Sequence, residues 1–164
     1  MATTRSVLFV DDSVAFLETF TELCTVLSRQ AWQVECASSV DRALAVLQAK
    51  PIDLVVLDLG MPLMDGSQLI GLIKQRYPAI KMAVMTGNAT DTGRADALAN
   101  GADLFVEKPV SPAGIRQVFN LLNDLMAPLP PEKSVNTAGL PEDEFVVVAT
   151  YDGKWNALNE EKKP

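Results

Sequence analysis

Residues 55–66 read VVLDLGMPLMDG. The apolar, β-branched run has the composition of a strand buried on both faces, and it ends in Asp58 before Gly60, Pro62 and Asp65-Gly66 break the chain into a loop. A carboxylate on the tip of a core strand is costly unless something pairs with it. How Asp58 is partnered therefore decides how the whole chain is read. Asp65-Gly66 itself reads as structural, capping the helix that follows the loop.

The same alternation recurs on both sides of this stretch. Strands are expected at 6–10 (SVLFV), 32–36 (WQVEC), 53–57 (DLVVL), 81–85 (KMAVM) and 103–107 (DLFVE). Five longer segments of helical period follow them in turn, the pattern of βαβ units around a parallel sheet. The first helix sets Phe16, Phe20, Leu23, Cys24 and Leu27 on one face. The last sets Ile115, Val118, Phe119, Leu122 and Leu125 together, with Ser111 as N-cap and Pro112 in the first turn. Asn100-Gly101 has the form of a left-handed stop after the fourth helix. The fold class is α/β: a doubly wound, five-stranded parallel sheet with helices on both faces, followed by a C-terminal extension.

Composition changes after Met126. Residues 127–144, APLPPEKSVNTAGLPEDE, hold four prolines and read as an extended, acidic linker. Within 145–164 a β-hairpin tail is expected, turning in type I′ at Asp152-Gly153. That register sets Thr150 opposite Trp155 and Val148 opposite Ala157, with Phe145, Val147 and Tyr151 on the other side. A lone hairpin with apolar groups on both faces needs a surface, which the body's own helices, a further domain or a second copy of the chain would supply. A homodimer is thus among the expected assemblies.

The 164 residues, 48% hydrophobic and 21% charged, suit one domain with an appendage. There is no histidine, which excludes a Ser-His-Asp triad, a His-based zinc site, a His general base and a phosphohistidine on this chain. The net charge of −7 comes from ten basic and fourteen acidic residues through Met126, and four and seven after it. Such a balance argues against nucleic acid as a partner. No apolar stretch approaches the ~20 residues of a membrane span. MATTRSVLFV followed by Asp11-Asp12 lacks a cleavable signal pattern, so a cytoplasmic location is expected. Cys24 and Cys36 lack Cys-x-x-Cys spacing and are expected as reduced core thiols.

In an open α/β sheet the ligand crevice lies beyond the carboxyl ends of the strands. Just past their strands lie Asp11 and Asp12 on the first, Asp58 on the third, Thr86 on the fourth and Lys108 on the fifth. Three converging carboxylates repel unless a cation joins them, and a hard divalent ion with oxygen ligands resolves that. Asp58 could then attack phosphorus, Lys108 offset charge on phosphoryl oxygens and Thr86 donate a hydrogen bond to one.

The stretches LFVDDS, VVLDLGMPLMDG, VMTG and FVEKPV, in this order, resemble the motifs of the response regulator receiver family over residues 5–126. The resemblance implies a receiver domain at 1–126, of flavodoxin-like strand order 2-1-3-4-5, with Asp58 as phosphoacceptor. It also implies a Mg²⁺ site, with Mn²⁺ able to substitute, made by Asp12 directly, Asp11 mostly through water, Asp58 and the backbone carbonyl of Gly60. Lys108 would pair with the phosphoryl group across a cis bond to Pro109, and Thr86 and Phe105 would form the switch pair.

Two departures follow: Gly60 has no side chain to shield an acyl phosphate, and Asn88 is a neutral amide near the site. Phe105, where the family often has tyrosine, would be held inward by packing alone. The implied partners are a histidine kinase or phosphotransfer protein and a downstream protein, with no membrane. No separate turnover of a substrate is expected. Two alternatives are a haloacid-dehalogenase-like Mg-dependent phosphatase, whose pattern requires an acid where Gly60 stands, and an interaction module independent of phosphorylation.

Overall fold

A computed structural model describes residues 4–61, 66–126, 148–149 and 155–156. The chain divides into two units, Met1–Met126 and Ala127–Pro164. In the first, five strands alternate with five helices: β1 Arg5–Val10, α1 Val14–Leu27, β2 Trp32–Ala37, α2 Val40–Ala49, β3 Leu54–Leu57, α3 Gly66–Arg76, β4 Lys81–Thr86, α4 Asp91–Ala99, β5 Leu104–Glu107 and α5 Pro112–Met126. All neighbours pair in parallel, in the order β2-β1-β3-β4-β5.

Alternate strand residues feed two cores. Leu8 and Val10, Val55 and Leu57, and Met82 and Val84 pack with Leu47 of α2, Leu69, Ile70 and Ile73 of α3 and Ala97 of α4. On the opposite face Phe9 meets Phe20 of α1 edge-on, with centroids 5.4 Å apart, and Trp32 lies against Phe119 of α5 at 4.7 Å. The helices start on side-chain caps: Ser13, Ser39 and Thr90 accept N–H groups from the first turns of α1, α2 and α4. Gly101 adopts φ +109°, the left-handed stop expected after α4.

Strands β3 and β5 start one residue later than sequence suggests, because the aspartates before them do another job. Asp53 N–H donates to Ser6 O at 2.8 Å while its carboxylate accepts Ser6 N–H at 2.8 Å. Asp103 repeats this clasp on Met82, at 2.7 and 2.8 Å. Each clasp ties the start of one strand to its neighbour.

Four expectations need correction. Cys36 is exposed, because β2 is an edge strand with no neighbouring strand on its outer side, whereas Cys24 is buried and its thiol is pushed up to about 12 by desolvation. In α1 the buried face runs through Leu17, Phe20 and Cys24, leaving Leu23 exposed at its margin. The Lys108–Pro109 bond is trans, as are all peptide bonds among the described residues. Trans is the intrinsically favoured isomer of an X-Pro bond, by about 0.5–1 kcal/mol, and Lys108 reaches its partners from it.

The fourth correction concerns the second unit. There β6 Val148–Ala149 pairs antiparallel with β7 Trp155–Asn156, Ala149 opposite Trp155 and Val148 opposite Asn156. This is one residue off the expected register, a slip that the sequence pattern resists poorly when both faces are apolar. The expected turn at Asp152-Gly153, the 127–144 linker and Asp65 lie outside the described residues. No helix among the described residues is long and apolar enough to cross a membrane.

Candidate functional site

Each strand end delivers its expected side chain to one edge of the sheet. Asp11 follows β1 and is 3% exposed, Asp58 follows β3 and is 7% exposed, and Thr86 closes β4 at 4%. Asp12 is exposed beside them. Ligand oxygens of Asp11, Asp12 and Asp58 all lie within 4.8 Å of one another. Lys108, just past β5, reaches across with Nζ 2.6 Å from Asp11 Oδ2 and 3.1 Å from Asp58 Oδ2.

Local backbone fixes the two buried carboxylates. Ser13 N–H donates to Asp11 Oδ1 at 2.9 Å, in the turn that starts α1, and Gly60 N–H donates to Asp58 Oδ1 at 2.9 Å. A Cβ on Gly66 would stand 2.5 Å from Leu59 Cδ2 and 3.0 Å from Leu59 Cα, so only glycine lets α3 begin against the residue after Asp58. A Cβ on Gly60 would sit 3.4 Å from Asp58 Oδ1, which leaves that side of the carboxylate open in this chain.

Burial works to lower the Lys108 pKa, but pairing with Asp11 and Asp58 outweighs it and holds the ammonium above its ordinary value. Among the described residues Lys108 thus pairs with two of the three clustered carboxylates. Asp11 Oδ2 is buried and, despite its short contact with Nζ, has no aligned hydrogen bond among the described residues. Buried acceptors with unspent lone pairs beside an exposed third carboxylate suit a hard divalent cation, for which Asp11, Asp12 and Asp58 could supply oxygens. The donor set has no sulfur or imidazole, which disfavours softer metals.

Of the two residues expected as a switch pair, Thr86 Oγ1 accepts Asn88 N–H at a long 3.4 Å, and Phe105 is packed inward at 8% exposure. Packing is not all that holds Phe105, because the Arg94 guanidinium lies 5.4 Å from its ring centroid. A second cation–π contact was also missed from sequence: Phe16 lies under Lys108 Nζ at 4.6 Å. Helical periodicity assigns Phe16 to an apolar face, and nothing in its spacing points to Lys108.

The model of the response regulator receiver domain matches residues 7–120. Among curated proteins the chain is 34% identical over 103 residues to the response regulator protein FleR of Pseudomonas aeruginosa, covering 63% of this chain but 21% of FleR. Its fold is similar to that of a CheY-like receiver domain protein from Methanospirillum hungatei, with TM-score 0.68, 24% identity and coverage of 76% and 94% of the two chains. It is also similar to a Burkholderia pseudomallei response regulator whose structure holds a phosphorylated aspartic acid, a calcium ion and citrate. That match has 26% identity, TM-score 0.62 and coverage of 72% and 66%. Strand order, strand-end chemistry and the matched span agree, and the chain belongs to the response regulator receiver domain family.

Proposed function

We propose that this chain is a phosphorylation-dependent switch of a two-component phosphorelay. Asp58 accepts a phosphoryl group from the phosphohistidine of a histidine kinase or phosphotransfer protein. A carboxylate oxygen forms the new bond to phosphorus, and the donor's imidazole nitrogen leaves with the electron pair of the broken P–N bond. The observation that carries this reading is the state of Asp58. It is nearly buried and held by Gly60 N–H on one oxygen and Lys108 Nζ on the other, with two further carboxylates within 4.8 Å.

Mg²⁺, held by Asp11, Asp12, Asp58 and the Gly60 carbonyl, would neutralise charge on the transferring group. Lys108 turns an N–H toward a phosphoryl oxygen, and the Thr86 hydroxyl donates to another. The added charge of about −1.5 to −2 draws Thr86 toward the phosphate and vacates space beside Phe105. This shifts a two-state equilibrium on the α4, β5 and α5 face, which a downstream protein reads. No separate turnover of a substrate is involved.

Intact-mass spectrometry of the full chain with Mg²⁺ and acetyl phosphate tests this reading. One phosphoryl group is expected on the wild type and none on Asp58→Asn. Equal labelling of the two would place the acceptor elsewhere.

A further inference from the structure

The geometry points to Phe16 as a positioning residue for Lys108, its ring holding the ammonium over the Asp11–Asp58 pair; the kinetic part of this proposal rests on the functional reading above. An ammonium has three N–H donors and no acceptor. Asp58 accepts one N–H at 3.1 Å, Asp11 Oδ2 stands 2.6 Å away on a second side as an ion-pair partner, and the Phe16 ring closes a third with its centroid 4.6 Å from Nζ. That distance is inside the ~6 Å reach of a cation–π contact.

The ring is itself held in place. Phe16 stacks on Phe20 with centroids 5.3 Å apart and planes 18° apart, and Phe20 meets Phe9 edge-on at 5.4 Å. Phe9 and Phe20 are each 1% exposed, and Phe9 lies on β1 two residues before Asp11. Ser13 links the same parts, its N–H donating to Asp11 Oδ1 while its hydroxyl accepts Phe16 N–H. The aromatic column and the carboxylate beneath the ammonium thus share one strand and one turn.

This arrangement matters most when the carboxylate contacts change. Once a phosphoryl group sits on Asp58, the ammonium must turn at least one N–H from a carboxylate to a phosphoryl oxygen. A ring face requires no particular N–H direction, so it keeps Nζ over the site through that exchange. Leucine at position 16 would fill most of the space without offering the ring's negative face.

The test uses the full chain, isotope-labelled and free of metal and phosphodonor, for NMR of the Lys108 ε-methylene group. Ring-current displaced resonances are expected in the wild type and in Phe16→Tyr, and ordinary lysine positions in Phe16→Leu. With Mg²⁺ and acetyl phosphate, the rate of loading on Asp58 should fall roughly threefold to tenfold in Phe16→Leu and return toward wild type in Phe16→Tyr. Undisplaced Lys108 resonances in the wild type overturn the contact. Unchanged loading in Phe16→Leu, or equally slow loading in Phe16→Tyr, overturns the positioning role. A wild type that takes no phosphate overturns the functional reading and the kinetic part with it, whereas the resonances, read without a donor, still decide the contact.

Discussion

The two ends of the sheet are built from the same residue types. At the amino end stand Asp53, Asp103 and Lys74; at the carboxyl end stand Asp11, Asp58 and Lys108. Asp103 Oδ2 accepts Met82 N–H at 2.8 Å and pairs with Lys74 Nζ at 2.9 Å, and Lys74 also donates to Ile80 O. Asp53 spends its carboxylate on Ser6 N–H in the same way. At the carboxyl end Asp11 and Asp58 accept local N–H groups two residues on instead of a neighbouring strand's, Lys108 serves both carboxylates, and Asp11 Oδ2 lacks an aligned hydrogen bond among the described residues. Each of the four carboxylates accepts one backbone N–H; what separates the ends is that Asp53 and Asp103 each clasp a neighbouring strand, whereas Asp11 and Asp58 share one ammonium and have ligand oxygens within 4.8 Å of each other and of Asp12.

The sharpest break between the two ends should appear in phosphate uptake. Asp58→Asn is expected to abolish loading from acetyl phosphate, whereas Asp103→Asn should load like wild type and lose stability alone, roughly 1–2 kcal/mol for weakening a charge-assisted bond. Mass spectrometry and urea denaturation read the two effects separately. Loss of loading in Asp103→Asn would erase the distinction between the ends.

Much of this division was legible in the sequence, because an aspartate before an apolar run and one after it fall at opposite ends of a parallel strand. Asp58 and Lys108 each stand directly past such a run, and the helices between strands force the ends to coincide. The clasp role of Asp53 and Asp103 was not legible, since DLVVL and DLFVE read equally well as strands from their first residue. Cys36 was misjudged because an apolar context does not reveal that β2 lies at an edge. Phe16 and Arg94 entered the picture only through contacts between different elements, α1 with the residue past β5 and α4 with β5.

A smaller difference is expected when the lysines are removed. Lys108 is 19% exposed and separates two nearly buried carboxylates, so Lys108→Met should cost about 3 kcal/mol in metal-free protein. Added Mg²⁺ should recover most of that loss, and should stabilise this variant more than wild type. Lys74→Met breaks a pair with both side chains more than 20% exposed and should cost about 1 kcal/mol, with no Mg²⁺ response. Thermal melts with and without EDTA separate these outcomes; equal Mg²⁺ responses in the two variants would contradict the assignment of the cation to the carboxyl end.

Alkaline titration probes the same lysine. Because the folded Lys108 pKa is raised, its contribution to stability is complete below the unfolded value of about 10.4 and disappears as pH rises through the higher folded value. Metal-free wild type should therefore lose more stability above pH ~10 than Lys108→Met does. Parallel curves for the two chains would remove Lys108 from the alkaline transition.

The smallest effect should come from Asp53, and its small size is informative. Asp53→Asn keeps an oxygen that can accept Ser6 N–H, and the reciprocal bond from the residue 53 N–H to Ser6 O involves no side chain. Only the gain from charge is lost, about 1 kcal/mol or less. Asp53→Ala instead removes the acceptor and leaves a half-buried N–H without it, at roughly 1–3 kcal/mol. Hydrogen exchange at Ser6 should rank the chains wild type, Asn, Ala from slowest to fastest, while phosphate loading stays the same in all three. If Asn exchanges as fast as Ala, the negative charge itself holds the strands together at this end, and the contrast with Asp58 must rest on geometry alone.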